Sequence, residues 1–512
     1  MMNIRKNVIE KSGYVNGSLF LDFGRASYGQ LELEMDGVAY DLAQVVLSEY
    51  AENGVVKYAP GWKTFIIDNF RITPQQKVYK VNIPQHRACY GQFPHIETPK
   101  EFGGEIAIFR YVQVNHYWGP VKVRKTEFFN CVPEDAAHFE SSNKKLDKIW
   151  DFCHYSMLAT SVFPCYLDGE RERRPYEGDA YITELGHFCC GADYSIARRT
   201  IDFFFAYGDK TWPTEWILAT PLLIQNYVLY SGDTRPLKRW LPQLPAKLLP
   251  QMCRKDGLLA PTGHVRDIVD WPETERDGYE FGKANFVPNA YYYGALLAVA
   301  ELTGDKKYLQ QAAKLKATMR KKMLKNGFFV DNPDSKHTSM HTAMFALRFG
   351  LTEGDETARH QALVKSRGMA CSVYGAQFLL ESCFAGGMDK HGVELMTNDG
   401  KRSWFNMLRE GSTVSMEAWG DSFKPGQDWS HPWGAAPANI IPRLVAGVRP
   451  TAPGFASFVV KPSPAAPKSF FLRQPTPFGA IEVRKDGAKL DVKLVGTHKK
   501  LVKAGPGEYS VK

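Results

Sequence analysis

No run of 18 consecutive apolar residues occurs in the 512-residue chain. About 20 such residues are needed to cross a bilayer as a helix, so the sequence predicts no membrane span. The opening stretch MMNIRKNVIE lacks the apolar core of a signal peptide. The sequence alone therefore reads as cytoplasmic; the alternative is a periplasmic or secreted protein whose leader has been removed. Cysteine is sparse and badly spaced for chemistry. There are nine, an odd number, with Cys189 and Cys190 adjacent and no Cys-x-x-Cys pair, which predicts neither a zinc site nor a disulfide framework. No Asp/Asn/Gly run has the spacing of a calcium loop. The expectation is no essential metal and no cofactor. A concentrated basic stripe is missing as well. The net charge of +9 comes from 64 basic and 55 acidic residues, and Arg320–Lys322 and Lys499–Lys500 read as solvated ends of elements, which excludes a nucleic-acid binder. At 44% hydrophobic and 23% charged the chain is neither disordered nor collagen-like. Nothing in the sequence bears on oligomeric state.

Aromatic residues are plentiful: 31 Phe, 24 Tyr and 11 Trp, or 13% of the chain. Flat rings with a polar edge suit partners that are apolar on one face and polar at the rim. Composition changes character twice along the chain. From Gly17 to about Asn130, short alternating runs such as Leu19–Phe23, Gln30–Glu34 and Ile106–Val114 predict an antiparallel β-sandwich. From Ser142 to Gly447 the period is helical. Leu146, Ile149, Trp150, Cys153 and Met157 recur at three and four, with Ser142 as the expected N-cap. Gly-Asp pairs at 208–209, 232–233, 304–305 and 354–355 are each expected to close one helix and cap the next. About a dozen helical patterns joined by short connections suit a six-hairpin α/α toroid. After Pro450 the β runs return at Phe455–Val460, Ala480–Arg484 and Leu490–Val495. The expected fold is multidomain α+β: an N-terminal β-sandwich (1–138), a central (α/α)6 toroid (139–447) and a small C-terminal antiparallel β domain (448–512).

Three segments concentrate polar chemistry. Asp168-Gly-Glu-Arg-Glu-Arg-Arg-Pro-Tyr-Glu-Gly-Asp179 places five carboxylates among three guanidiniums, after the apolar stretch Phe163–Leu167. A charged loop on such a rigid base can reach into a cleft, or it can be a solvated ion-pair loop. Glu417 stands among small and aromatic residues ahead of Trp419, where burial is expected to raise its pKa toward neutrality and suit it to acid or base work. His431 lies between Trp429 and Trp433. Further aromatic–polar clusters occur at Trp212–Trp216, Asp267–Trp271 and Arg276–Tyr279. Sugars offer C–H faces for stacking and hydroxyls for carboxylates or arginine, so Trp beside Asp, Glu and Arg fits a sugar subsite.

These residues carry a resemblance. The first segment is similar to a motif of the α-L-rhamnosidases of glycoside hydrolase family 78, in which Arg-Glu is followed seven residues later by Asp. Here Arg171-Glu172 precedes Gly178-Asp179 at that spacing. The segment departs from the pattern where Asp168 leads into Gly169-Glu170 without Cys-Pro, and where Tyr176 replaces the usual Trp. Ser412–Trp419 resembles the family's Ala-Thr-Thr-x-Trp-Glu-x-Trp, His431 its Ser-His-x-Trp variant, and Leu444–Pro450 followed by Pro453–Phe455 its passage into the C-terminal domain.

The resemblance implies removal of terminal α-L-rhamnose from a plant or microbial polysaccharide or glycoside by an inverting mechanism. In it Glu172 would be the general acid and Glu417 the general base. It further implies sugar contacts from Asp168, Asp179, Trp271, Trp419, His431 and Trp433, to which the charged loop and the aromatic–polar clusters themselves add Arg171, Trp216, Asp270 and Arg276 as substrate-binding candidates. An arginine touching Glu172 directly would oppose its acid role. The positive charge suits an acidic, pectin-like substrate and equally a polysaccharide lyase. A different glycosidase on the same toroid and an inactive carbohydrate-binding homologue are also compatible with these residues.

Overall fold

In the computed structural model, residues 2–7, 9, 11–36, 42–58, 63–87, 94–130, 135–207 and 211–512 are described. The alternating runs near the N-terminus join into one eight-stranded antiparallel sheet. Its main path runs Met2–Asn7, Val121–Asn130, Ser18–Met35, Ala107–Asn115, Leu42–Ser48 and Phe65–Arg71. Lys11–Val15 and Val78–Lys80 both pair with the long strand Ser18–Met35. Side chains alternate across a pleated strand. Accordingly Leu31, Leu33 and Met35 are buried, packing with Val45, Leu47, Val112 and Val114, while Glu32 and Glu34 between them remain partly exposed. The register shifts between Asp22 and Ser27. Beyond that shift Ala26 and Tyr28 join Ile106, Ile108, Phe128, Tyr155, Phe163 and Leu167 in a second cluster. This cluster welds the sheet to the first long helix, Lys144–Thr160, and to the apolar stretch that leads into the polar loop at 168.

The helical region sorts into buried and amphipathic helices. Glu177–Cys190 is buried at every residue, and Thr214–Ser231, Phe286–Thr303, Met340–Arg348 and Val373–Ala385 bury most of theirs. Helices apolar on all faces belong inside a helical assembly. Each contacts the next in that sequence, and Pro437–Ile440 joins the last back to the first. The helices following the buried ones expose one face. Lys306–Met323, for example, buries only Tyr308, Ala312, Leu315, Met319 and Met323, a spacing of three and four. Among the described residues no helix is long and apolar enough to cross a membrane.

The expected punctuation is met in part. Gly304 takes a left-handed φ of 71° and closes Phe286–Thr303, while the Asp305 side chain accepts from Lys307 N at 3.0 Å to cap the next helix. Gly232 closes Thr214–Ser231 in the same way. Asp233 instead forms a turn with Arg235. Gly354 precedes its helix and Asp355 lies in the first turn. Gly208-Asp209 lies outside the described residues. Ser142 is not the N-cap of the first long helix. Asn143 caps it, its carboxamide oxygen accepting from Leu146 N at 3.2 Å, because Ser142 is engaged with Ser469.

The C-terminal strands form two four-stranded antiparallel sheets. One pairs Val448–Pro450, Ser457–Val460, Glu508–Val511 and Leu501–Gly505. The other takes its edge strand, His138–Ser141, from before the helical region and pairs it with Ser469–Thr476.

Glu381 ties the buried helices together by charge. Its carboxylate accepts from Arg348 Nε at 2.6 Å, Arg443 Nη1 at 3.2 Å and Gln377 Nε2 at 3.0 Å, while Arg348 also reaches the Tyr181 hydroxyl at 2.7 Å. Removing one partner of a buried charge set strands the others in low dielectric. Glu381→Leu is therefore expected to cost about 3–5 kcal/mol in urea unfolding; a cost under about 1 kcal/mol, the worth of a surface pair, would contradict this reading.

Candidate active site

Two loops bring the carboxylates together. The first runs from Asp168 into the helix at Glu177. Asp168 N donates to Arg174 O at 2.9 Å and its Oδ1 accepts from Arg174 N at 3.0 Å. Arg173 N donates to Gly169 O at 3.1 Å, and Arg173 turns the chain with a φ of 50°. The loop is thus folded on itself rather than solvated: Asp168, Arg173 and Arg174 are buried. The second loop carries Glu417 and returns through Lys424 to His431. Glu417 N donates to Asp428 O at 3.0 Å, and Asp428 N donates back to Glu417 Oε2 at 3.1 Å.

A cavity of about 140 Å³ opens between them, lined by Asp168, Arg171, Glu172, Asp179, Glu417 and His431, and by the rings of Tyr176, Trp212, Trp216, Trp271 and Trp433 with Ile268. A larger concavity of about 760 Å³ runs along Glu140, Phe471 and Arg484, where Arg484 covers the Phe471 ring at 4.1 Å. Among the described residues its lining contains no tryptophan and no histidine, so volume does not locate the chemistry.

Arg171 stands between the two glutamates. Its Nη2 lies 3.2 Å from Glu172 Oε1 and 3.4 Å from Glu417 Oε1, and its Nη1 lies 3.4 Å from Glu417 Oε2. The nearest oxygens of the pair can be no farther apart than the two Nη2 distances laid end to end. Lys424 Nζ donates to Glu417 Oε1 at 2.6 Å. Burial alone would push the Glu417 pKa up. His431, Arg171 and Lys424 together outweigh burial and hold it at about 2, so the expected rise toward neutrality is not found: three cations, brought in by folding, reverse it. Glu172 accepts from the Tyr176 hydroxyl at 2.7 Å.

His431 is the central cation. Its Nε2 donates to Asp179 Oδ1 at 2.8 Å, and Asp428 Oδ2 lies 3.8 Å from Nδ1. Burial would lower its pKa, but these carboxylates and Glu417 raise it to about 10. Asp168 and Asp179 are pushed upward, chiefly by burial and then by neighbouring carboxylates, with His431 opposing. Glu417, Asp428 and His431 bring potential ligand atoms within 4.8 Å of one another. His431 Nε2 is committed to Asp179, which leaves Nδ1 as the ring atom facing Asp428 and this trio.

Three of the expected sugar contacts lie elsewhere. Trp419 is buried, donates to Cys371 O at 2.8 Å and packs on Trp404. Asp270 is fully buried and accepts from His341 at 2.7 Å, Ser372 N at 2.9 Å and Trp271 N at 2.8 Å, which fixes the base of the Trp271 loop. Arg276 donates to Asp270 O at 3.0 Å and pairs with Glu273. Each sits near a cavity residue in sequence but is consumed by the scaffold. Trp212, from the Trp212–Trp216 cluster, joins the cavity wall, and Tyr176, Ile268, Lys424 and Asp428 belong to the site without being named as sugar contacts from the sequence. For Asp428 the sequence carries a weak signal, an acid three positions before His431. For Lys424 it carries none, because the loop must fold back seven residues to reach Glu417.

The pH dependence follows from His431. In the unfolded chain its proton leaves near 6.5, and in the fold near 10, so its stabilising contribution is complete below about pH 6.5 and vanishes as the pH rises through about 10. The gap in urea stability between the wild type and His431→Gln is expected to narrow across that interval. A gap that widens would show that the imidazole is neutral.

Residues 134–445 match the family described as the bacterial alpha-L-rhamnosidase 6 hairpin glycosidase domain. No curated protein matches the chain. Among solved structures the chain is similar to the native α-L-rhamnosidase from Aspergillus terreus, with TM-score 0.80 and 16% identity over 99% of this chain and 63% of that one. It is also similar to the GH78 family rhamnosidase of Bacillus sp. GL1, with TM-score 0.76 and 18% identity over 94% and 53%. The Streptomyces avermitilis α-L-rhamnosidase complexed with L-rhamnose gives TM-score 0.78 and 16% identity over 100% and 52%. The chain thus spans about half to under two thirds of the length of these proteins, and at such identities the likeness establishes the fold. The family match covers more than half of the chain and takes in both Glu172 and Glu417: the chain belongs to the bacterial α-L-rhamnosidase six-hairpin glycosidase family.

Proposed function

We propose that the protein is a glycoside hydrolase that removes terminal α-L-rhamnose from a rhamnose-containing polysaccharide or glycoside. The observation that carries this is the pair of glutamates held by one guanidinium at the floor of a small, tryptophan-walled cavity. At about 140 Å³ the cavity is well below the ~300–1,000 Å³ of drug-sized sites, which favours a single terminal ring over an internal sugar. The cyclic order of the buried helices supports an (α/α)6 toroid around this cavity, with antiparallel β units on either side in sequence. The net charge of +9 is compatible with an acidic glycan.

Inversion needs an acid at the leaving oxygen and a base that activates water on the opposite face, about 6.5–9.5 Å apart. The Arg171 bridge, at 3.2 and 3.4 Å to the two nearest oxygens, holds them no farther apart than the short end of that range, so the anomeric form of the first product decides between inversion and retention. Glu417 is ionised and takes the base role. Glu172 takes the acid role. Arg171 touches Glu172 at 3.2 Å, so the acid role requires a sugar hydroxyl to take over that guanidinium contact on binding. Asp168, Asp179 and protonated His431 then engage ring hydroxyls, and Trp216, Trp271 and Trp433 cover the apolar face.

Glu172→Gln and Glu417→Gln are each expected to lower kcat on p-nitrophenyl α-L-rhamnoside by at least about 10²-fold, with NMR detecting β-L-rhamnose as the first product of the wild type. Full activity in either variant removes that residue's role, and α-L-rhamnose appearing first replaces inversion by retention.

A further inference from the structure

The N-terminal sheet and its connections touch both catalytic loops through charged, partly buried contacts. Arg173 directly follows Glu172. Its guanidinium donates to Glu105 Oε1 at 2.8 Å, Thr98 Oγ1 at 3.0 Å and Ile106 O at 2.9 Å, all N-terminal residues, and to both oxygens of Glu170 at 3.0 and 2.6 Å. The guanidinium also lies over the Phe163 ring at 4.9 Å. Glu105 is itself held in place: it accepts from His86 N at 3.1 Å, from Ile106 N at 3.0 Å and from the Thr98 hydroxyl. Two more contacts hold the loop backbone: Ile96 N donates to Arg173 O at 2.8 Å, and His86 Nε2 lies 3.0 Å from Glu170 O. A left-handed, non-glycine turn such as Arg173 persists only where its surroundings over-determine it.

The second loop is held from the same side. Lys63 Nζ lies 2.6 Å from Asp421 Oδ2 and 4.5 Å from the centre of the Trp429 ring, with the Lys63 side chain only 2% exposed. The other oxygen of Asp421 accepts from Gln427 Nε2 at 3.0 Å and Trp429 Nε1 at 3.2 Å. Gln427 in turn accepts from Ala418 N at 2.8 Å, the peptide that follows Glu417. Tyr50 meets the Trp429 ring edge-on.

We propose that the N-terminal β unit is a working part of the catalytic centre: Glu105 positions Glu172 through Arg173, and Lys63 positions Glu417 through Asp421 and Gln427. The roles of acid and base rest on the glycosidase reading; the mechanical coupling does not. Misplacing a reacting group by about 1 Å can cost 10²-fold in rate, so a partner two contacts away can govern turnover without touching the sugar.

The test uses the full chain with Glu105→Gln and Lys63→Met, and with Glu105→Asp and Lys63→Arg should either fail to fold. Amide hydrogen exchange is read first, since it reports local opening. Glu105→Gln is expected to speed exchange in 168–174, and Lys63→Met in 417–428, each by at least about tenfold, with Phe286–Thr303 unchanged. Turnover is read second, on a methyl and a dinitrophenyl α-L-rhamnoside. The methyl leaving group needs the acid and the dinitrophenyl group does not. Glu105→Gln is therefore expected to lower kcat at least about tenfold on the first and under about threefold on the second, with KM steady, and Lys63→Met to slow both alike. Unchanged exchange in both loops overturns the proposal, as does an equal loss on the two substrates for Glu105→Gln. Faster loop exchange in a protein whose wild type releases no rhamnose supports the coupling and overturns the glycosidase reading alone.

Discussion

Burying acid is costly, and this site buries a great deal of it. Asp168, Asp179, Glu417 and Asp428 are almost wholly removed from water, with Glu172 close behind. A carboxylate in such surroundings either takes up a proton or finds a cation. Three cations surround Glu417, Arg171, Lys424 and His431, while Arg174 stands beside Glu172, and their placement decides which acids stay ionised. Glu417 lies in the field of all three and is held down. Asp168, driven up first by burial and then by Glu172, Asp179 and Asp428, goes the other way. One charge-balance problem thus sorts chemically equal groups into unequal roles, and Arg171, shared by both glutamates, is the member whose movement would change the sorting.

The surrounding fold exists in large part to hold those few charges in register. The buried helices converge on the cavity and present Asp179 and Trp216 from their ends. Residues that look like site residues in the sequence are used by the scaffold instead. Asp270 secures the Trp271 loop, and Glu215 accepts from Ile268 N and Val269 N, at 3.1 and 2.8 Å, to hold the same loop against the cavity. Val269 is kept at a φ of 63° there, a conformation a β-branched residue adopts only under restraint.

How much of this the sequence carried depended on the range of the interaction. Helix and strand types were legible because their signals are local: the spacing of Tyr308 to Met323 and the alternation of Leu31 to Met35 hold whatever the rest of the chain does. The two glutamates were legible through short motifs read against a family pattern. The burial of Glu417 beside tryptophans was legible too, but its protonation was not, since Arg171 arrives from 246 positions upstream. Trp419, Asp270 and Arg276 went astray for a related reason. Composition shows that an aromatic ring and a charge are adjacent, but not whether the pair faces a cavity or a neighbouring helix.

The strand His138–Ser141 gives the molecule a clasp. It enters before the helical region and hydrogen-bonds to Ser469–Thr476 after it, so the two ends of more than 300 residues are fastened in one sheet. The entropy of closing so long a loop grows only with the logarithm of its length, and it is met once, by a short ladder and the Ser142–Ser469 contacts beside it. Cutting the chain where its sequence changes character would therefore leave one piece with an unpaired edge and the other without its outermost strand. The seams visible in the sequence are not seams in the cooperative unit.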